Sequence, residues 1–262
     1  MISCTIACSV VSQVRFNRTY EYWDGAGVPF SILETDSGYL TISAVLSQQG
    51  TNYLLFHSLD SLGGVILDQH IADTNYNYKI GFPNNLIRLK DGNYLLSCSR
   101  ELRSDNTQVG LLIKLSPSLN ILWSKEYPFE SITWFGQIVE QDNSTVIVSG
   151  LTKKSAQNSQ VLLAKVSANG DLLWNKSYGG YLTEVGWTVS NSTNGGAYIG
   201  GMIKQVNGID ADPYLLKVDS NGVLEWDTAF GSNSTDEAAM VITKPNGNAL
   251  VATHYTDSTV IQ

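Results

Sequence analysis

The sequence is poor in charged residues and has no excess of basic ones. Only 15% of its 262 residues are charged, against about 25% in an average soluble domain. The 24 acidic residues outnumber the 16 lysines and arginines and give a formal net charge of −8. This sign argues against a nucleic-acid backbone as the main partner. The 43% of hydrophobic residues excludes a disordered chain.

Cysteine, histidine and long apolar runs are scarce too. Three cysteines are too few for a disulfide scaffold, and His57, His70 and His254 form no cluster with the spacing of metal ligands. We therefore expect no metal centre and no cofactor. The P-loop, dinucleotide-binding and G-x-S-x-G motifs are absent. No apolar run approaches the ~20 residues of a transmembrane helix, so no membrane span is expected.

The first residues, MISCTIACSVVSQ, are small and apolar but lack the basic start of a signal peptide. We interpret residues 1–13 as either the remnant of an export signal or a disordered start. A lipid anchor on Cys4 or Cys8 is expected only if the true start of the protein lies upstream. Residues 14–262 are predicted to form a single domain.

A repeat of 51 to 52 residues runs through that domain, and repeats of this length decide the fold. Some positions recur in nearly every copy. Two columns of such positions are Trp123, Trp174 and Trp226, each nine residues after Lys114, Lys165 and Lys217, and Tyr39, Tyr94, Val146, Tyr198 and Leu250.

Each repeat predicts four short strands, which we label A to D. In the fourth copy they cover 185–190, 197–202, 214–219 and 223–230, and Gly, Asn, Asp and Ser fill the A–B and C–D turns. Four antiparallel strands with a period of about 50 residues are typical of the blades of a β-propeller. The predicted fold is therefore all-β.

Five copies account for almost the whole chain. The segment FNRTY at 16–20 aligns with the strand-D segment WNKSY at 174–178, and STVIQ at 258–262 can serve as a strand C. We expect five blades closed by an N-terminal strand, because pairing the two ends removes two exposed sheet edges. The alternative is a fragment of a propeller with six to eight blades.

The segments GWTVSNSTNGGAYIGG and DPYLLKVDSNGVLEW resemble the roughly 50-residue propeller repeats of secreted and surface proteins of bacteria. More distant resemblances are to kelch repeats, through Gly200 and Gly201, and to Asp-box repeats, through SANGDLLW around Asn169. The resemblance implies a secreted or cell-surface protein. It carries no catalytic motif, which favours a non-enzymatic role.

The aromatic residues are distributed unevenly between the two ends of the predicted blades. We call the end with the D–A and B–C loops the loop face, and the end with the A–B and C–D turns the turn face. Aromatic and acidic residues concentrate on the loop face, where function usually sits on a rigid scaffold. The predicted ligand-binding residues are Trp187 and Trp134 as main anchors, Trp23, Phe82 and Tyr181 near them, and Asp24, Glu184 and Asp236 as hydrogen-bond acceptors on the rim.

These residues predict a non-enzymatic extracellular binding or scaffold propeller whose ligand, a glycan or a protein, docks on the loop face. The alternative is a glycan-active hydrolase or lyase that uses loop carboxylates at the mouth of the channel. Such an enzyme needs two carboxylates at a fixed separation, one with a raised pKa. No pair of acidic residues stands out in the sequence.

Overall fold

The chain is all-β. The computed structural model describes residues 19–20, 25–48, 50–81, 84–154, 158–180, 182–204, 211–231 and 236–254. Every regular element in these ranges is a β-strand, and nineteen strands follow one another. None of these residues forms a helix long and apolar enough to cross a membrane.

The strands fall into five consecutive units. Unit 1 contains β1 (Gly25–Thr35), β2 (Gly38–Ser47), β3 (Asn52–Asp60) and β4 (Val65–Ile71). Unit 2 contains β5 (Tyr76–Lys79), β6 (Leu86–Arg88), β7 (Tyr94–Leu102), β8 (Gln108–Leu115) and β9 (Ile121–Tyr127). Unit 3 contains β10 (Ile132–Glu140), β11 (Val146–Lys153), β12 (Gln160–Val166) and β13 (Leu172–Tyr178). Unit 4 contains β14 (Thr183–Asn191), β15 (Ala197–Lys204), β16 (Ala211–Val218) and β17 (Leu224–Ala229), and unit 5 contains β18 (Glu237–Thr243) and β19 (Ala249–His254).

Units 1, 3, 4 and 5 are antiparallel meanders in which each strand pairs with the next. In unit 2 the first strand is split, and β5 and β6 both pair with β7. A single parallel pair, Ile132 with Gln108, connects units 2 and 3. The four strands predicted for unit 4 are confirmed. The lysine and tryptophan columns face each other across strands C and D at the same register: Lys114 with Trp123, Lys165 with Trp174 and Lys217 with Trp226.

The hydrophobic core lies between successive units. The first strands of consecutive units contact one another, from β1 through β6, β10 and β14 to β18. One apolar cluster joins units 1 and 2, for example through Phe56 and Leu96, and another joins units 2 and 3 through Leu112 and Phe135. Because both faces of the inner sheets are covered, strands β8 and β12 are apolar almost throughout rather than alternating.

Tyrosine hydroxyls also link successive units. The last strands of units 2 and 3 end in a tyrosine that donates a hydrogen bond to the carbonyl of a glycine in the C–D turn of the next unit, and Tyr20, which precedes unit 1, makes the same bond. These glycines adopt positive φ, which residues with a Cβ avoid. The pairs are Tyr20 with Gly63 at 2.8 Å, Tyr127 with Gly170 at 2.6 Å and Tyr178 with Gly222 at 2.7 Å.

One link is apolar instead. The tyrosine position of unit 1 is Ile71, and the turn position in unit 2 is Leu119, which adopts a φ of 61° although it is not glycine. Both side chains are buried in the same cluster. At this link, two aliphatic side chains in one apolar cluster stand where the other links have a tyrosine and a glycine.

Tyr20 bears on the predicted closing strand. It stands before unit 1 as Tyr127 and Tyr178 stand before units 3 and 4, which agrees with the alignment of 16–20 with 174–178. The predicted pairing of 14–20 with 259–262 lies outside the described residues. Within the described ranges no sheet closes on itself.

Candidate functional site

The two predicted main anchors lie on the first strands of units 3 and 4, which contact each other. Trp134 is on β10, opposite Leu151, and Trp187 is the bulge residue of β14 between Gly186 and Thr188. Both rings are half-buried, and both line one cavity of about 10 Å³. A space of this size holds at most one water molecule.

Glycine allows this close approach. A Cβ on Gly136 would lie 2.9 Å from the carbonyl oxygen of Trp187, so a larger residue would push β10 and β14 apart. The rings therefore pack over the junction of units 3 and 4, and each keeps part of its surface exposed. The predicted neighbours Trp23, Phe82 and Tyr181, and the predicted acceptor Asp24, lie outside the described residues.

Glu184 lies inside the molecule rather than on its rim. Its residue exposure is 2%, and its Oε1 accepts a hydrogen bond from the Gly180 amide at 3.1 Å. A Cβ on Gly179, whose φ is +117°, would lie 2.6 Å from the carboxyl carbon of Glu184, so only glycine fits there. Burial raises the pKa of Glu184, and hydrogen bonds from loop amides, Gly180 first, oppose the rise.

In unit 3 the position aligned with Glu184 is Thr133, and it organises the D–A loop of that unit. There Thr133 accepts hydrogen bonds from the amides of Phe129 and Glu130 at 3.1 and 3.4 Å. Asp236 occupies the aligned position in unit 5 and is likewise only 2% exposed. Glu184 and Asp236 are thus buried and not on the rim, where we expected them. For Glu184 the reason lies in the D–A loop, because the amide of Gly180 requires an acceptor.

A pair of carboxylates that the sequence did not single out meets between units 4 and 5. Asp212 on β16 and Asp236 each place a carboxylate oxygen within 3.0 Å of the point that a Cβ on Gly231 would occupy. Asp212 lies in the same register row as Glu184, with Ile203 between them, so the two side chains project from the same face of the unit 4 sheet.

Tyr214 adds a phenol beside this carboxyl group cluster, which we define as Glu184, Asp212 and Asp236. Its hydroxyl donates to Asp227, and burial raises the pKa of the phenol. In the described part of the chain no three His, Cys, Asp or Glu side chains are arranged to hold a metal ion. Glu184 and Asp236 are buried, so Asp212, which is partly exposed, is the member of the cluster that can accept a hydrogen bond from outside the protein.

A surface groove of about 880 Å³ runs between β9 and β13 and was not predicted. Pro128 and Phe129 supply apolar surface at one end. Its charged groups already pair with one another, as in the 2.7 Å contact between Lys125 and Asp171. The sequence carries no signal for this groove, because it forms only where two units meet.

No family model and no curated protein matches the sequence. Among solved structures, a puromycin hydrolase aligns with a TM-score of 0.52 at 13% identity and covers 87% of this chain and 36% of that one. A polysaccharide lyase, the ulvan lyase bound to -[GlcA(1-4)Rha3S]-, aligns with a TM-score of 0.49 at 11% identity and covers 88% and 66%. A thermostable family-43 glycoside hydrolase aligns with a TM-score of 0.42 at 8% identity and covers 87% and 76%.

The likeness to the puromycin hydrolase is a likeness of fold alone. The chain spans about a third of the puromycin hydrolase and about two thirds of the ulvan lyase. The distant resemblance to kelch and Asp-box repeats has no support from the comparison with family models.

Proposed function

We propose that the chain forms a β-propeller whose loop face binds a glycan without cleaving it, in a secreted or cell-surface protein. Two observations support the propeller. The units repeat the same antiparallel strand pairing, and the first strands of successive units lie side by side. Five blades closed by the N-terminal strand is the form we favour, because Tyr20 bonds to unit 1 as Tyr178 bonds to unit 4.

The observation that carries the binding proposal is the meeting of Trp134 and Trp187. They come from two different units and line one cavity near the start of the first strands of those units. The carboxyl group cluster lies at the same end of the strands. Half-exposed indole rings offer a flat apolar surface, and the partly exposed carboxylate of Asp212 accepts hydrogen bonds from hydroxyl groups. A sugar ring presents both kinds of group.

A second candidate is a glycan-cleaving enzyme, which the Asp212–Asp236 pair favours. Glycoside hydrolysis uses two carboxyl groups about 5–10 Å apart, one of them with a raised pKa. Glu184 has such a shift. We nevertheless prefer binding, because Thr133 organises the D–A loop at the aligned position of unit 3, and the same role accounts for the buried Glu184 without catalysis.

Affinity electrophoresis in gels containing different polysaccharides tests the proposal. Trp187→Ala and Trp134→Ala remove the rings on the loop face, and Asn169→Ala and Asn221→Ala are matched controls on the turn face. A central anchor contributes roughly 2 kcal/mol, so each tryptophan variant should bind about thirtyfold more weakly, while the controls bind as the wild type does.

The opposite pattern, with binding lost only in the turn-face variants, would show that the wrong face was chosen. Circular dichroism checks that each variant is folded, and Trp187→Phe and Trp134→Phe replace any variant that is not. If no polysaccharide retards the wild type, a protein ligand replaces the glycan. Cleavage of a polysaccharide that Asp212→Asn abolishes would establish the second candidate.

A further inference from the structure

The lysine column has an acidic partner in two units and none in the third. Lys114 Nζ lies 2.6 Å from Asp91 Oδ2, and Lys217 Nζ lies 2.7 Å from Glu225 Oε2. Lys165 is only 8% exposed, and among the described residues its ammonium group meets no carboxylate. Its hydrogen bond is to the Ser220 carbonyl at 3.5 Å.

The sequence explains why Lys165 lacks a partner. In unit 3 the position of Asp91 is taken by Asn143, and the position of Glu225 is taken by Leu173. Neither replacement carries a charge. Burial therefore lowers the pKa of Lys165, and no negative group counteracts it. A buried ammonium ion without a counterion costs free energy that the neighbouring units avoid.

Lys165 lines a pocket of about 260 Å³ on the turn face, between units 3 and 4. Asn143, Asn191, Ser192 and Thr193 supply further polar wall. The Asn191 amide nitrogen donates to the Glu140 carbonyl at 2.8 Å, which fixes the orientation of the side chain. Its oxygen, Oδ1, is buried and has no hydrogen-bond partner in the part of the chain that the structure describes.

One acidic residue also lines the pocket. Asp142 is fully exposed, and its carboxylate lies 3.1 Å from Lys90 Nζ, which balances its charge. The pocket thus combines one buried cation with one buried acceptor, and the two need different groups. The cation needs an anion, and Asn191 Oδ1 needs a donor such as a hydroxyl.

We propose that this pocket is a second binding site, independent of the loop face, for a sugar acid or a similar small hydroxy carboxylate. The carboxylate lies at Lys165 Nζ, and a hydroxyl group donates to Asn191 Oδ1. The volume accommodates one monosaccharide-sized ring. A free sugar acid and an acidic residue of a polysaccharide share this chemistry.

Thermal unfolding of the intact chain with D-glucuronate, with D-glucose and with polygalacturonate tests the proposal at matched ionic strength. D-glucuronate is expected to raise the unfolding temperature of the wild type saturably, while D-glucose leaves it unchanged. In Lys165→Met the apparent affinity should fall at least about tenfold, and in the control Lys217→Met it should persist. If polygalacturonate also stabilises the wild type, a polymer is a source of the ligand. If only D-glucuronate stabilises it, the ligand is the free acid.

Two results overturn the proposal. One is equal binding of D-glucuronate to the wild type and to Lys165→Met, and the other is no binding to the wild type at concentrations that fill millimolar sites.

A measurement without ligand gives a second test. Lys165→Met should unfold at no lower temperature than the wild type, because it removes a buried charge without a counterion. Lys114→Met leaves Asp91 without its partner and should unfold at a lower temperature. If Lys165→Met is destabilised as strongly as Lys114→Met, Lys165 is a structural residue and the proposal fails.

Discussion

Replacing Gly170 by alanine tests the packing of unit 2 against unit 3. Gly170 has a φ of +77°, and a residue with a Cβ in the left-handed region costs about 1–2 kcal/mol. The new Cβ would also lie 2.9 Å from Cη2 of the Trp123 ring, closer than van der Waals contact. Overpacking of this kind costs about 1–3 kcal/mol. We expect Gly170→Ala to lose about 3 kcal/mol of unfolding free energy.

Gly50 supplies a matched control. It has the same φ of +77°, but a Cβ there would meet no heavy atom within 4 Å. Gly50→Ala should therefore lose only the backbone part, about 1–2 kcal/mol. Urea denaturation measures both, with the shift in midpoint read at constant m-value. Equal losses in the two variants would refute the contact between the Trp123 ring and the turn of unit 3.

Three further results are expected. Tyr178→Phe leaves the Gly222 carbonyl unpaired and should lower the unfolding free energy measured by urea denaturation by about 1–2 kcal/mol. The control Tyr94→Phe removes a hydroxyl that has no hydrogen bond among the described residues, and it should lower the unfolding free energy by less than about 0.5 kcal/mol. Equal losses in the two variants would contradict the link between Tyr178 and Gly222. Burial raises the pKa of Glu184 above its ordinary 4.5, so its contribution to stability is complete below that pH and is lost as pH rises through the raised value. Glu184→Gln should thus be more stable than the wild type at pH 7, with a gap that closes towards pH 4 in thermal melts, and a gap independent of pH would contradict the shift. Polysaccharides incubated with the wild type should yield no new reducing ends or unsaturated products, and turnover lost in Asp212→Asn would contradict a purely binding role.

The strand pattern could be predicted from the sequence because the repeat carries its own markers. The Lys–Trp column fixes strands C and D, and the Gly and Asn turns fix where they end. The hydrogen bond from Tyr178 to Gly222 could not be predicted, because the two residues belong to different units 44 residues apart. Only packing between the units brings the hydroxyl to that carbonyl.

The structure brings together two of the residues predicted for the candidate site, and their role in binding stays a prediction. Trp134 and Trp187 were named from the sequence, and the structure places them against one cavity. Glu184 and Asp236 were expected on the rim, because the sequence places them on the loop face. Both are buried, and for Glu184 the reason is that a loop amide needs an acceptor, a requirement that composition does not reveal. The approach of Asp212 to Asp236 depends on Gly231 of the intervening loop and has no sequence motif.

The loops of all units share one face around one axis only if the units form a closed ring. Deleting residues 1–20 tests this closure most directly. The deletion removes the Tyr20 link to Gly63 and the segment expected to pair with 259–262. If the ring closes through that segment, the shortened chain exposes two sheet edges, and it should aggregate or lose cooperative unfolding in calorimetry and size-exclusion chromatography. A shortened chain that melts as the full chain does, as a monomer, would contradict closure of the ring.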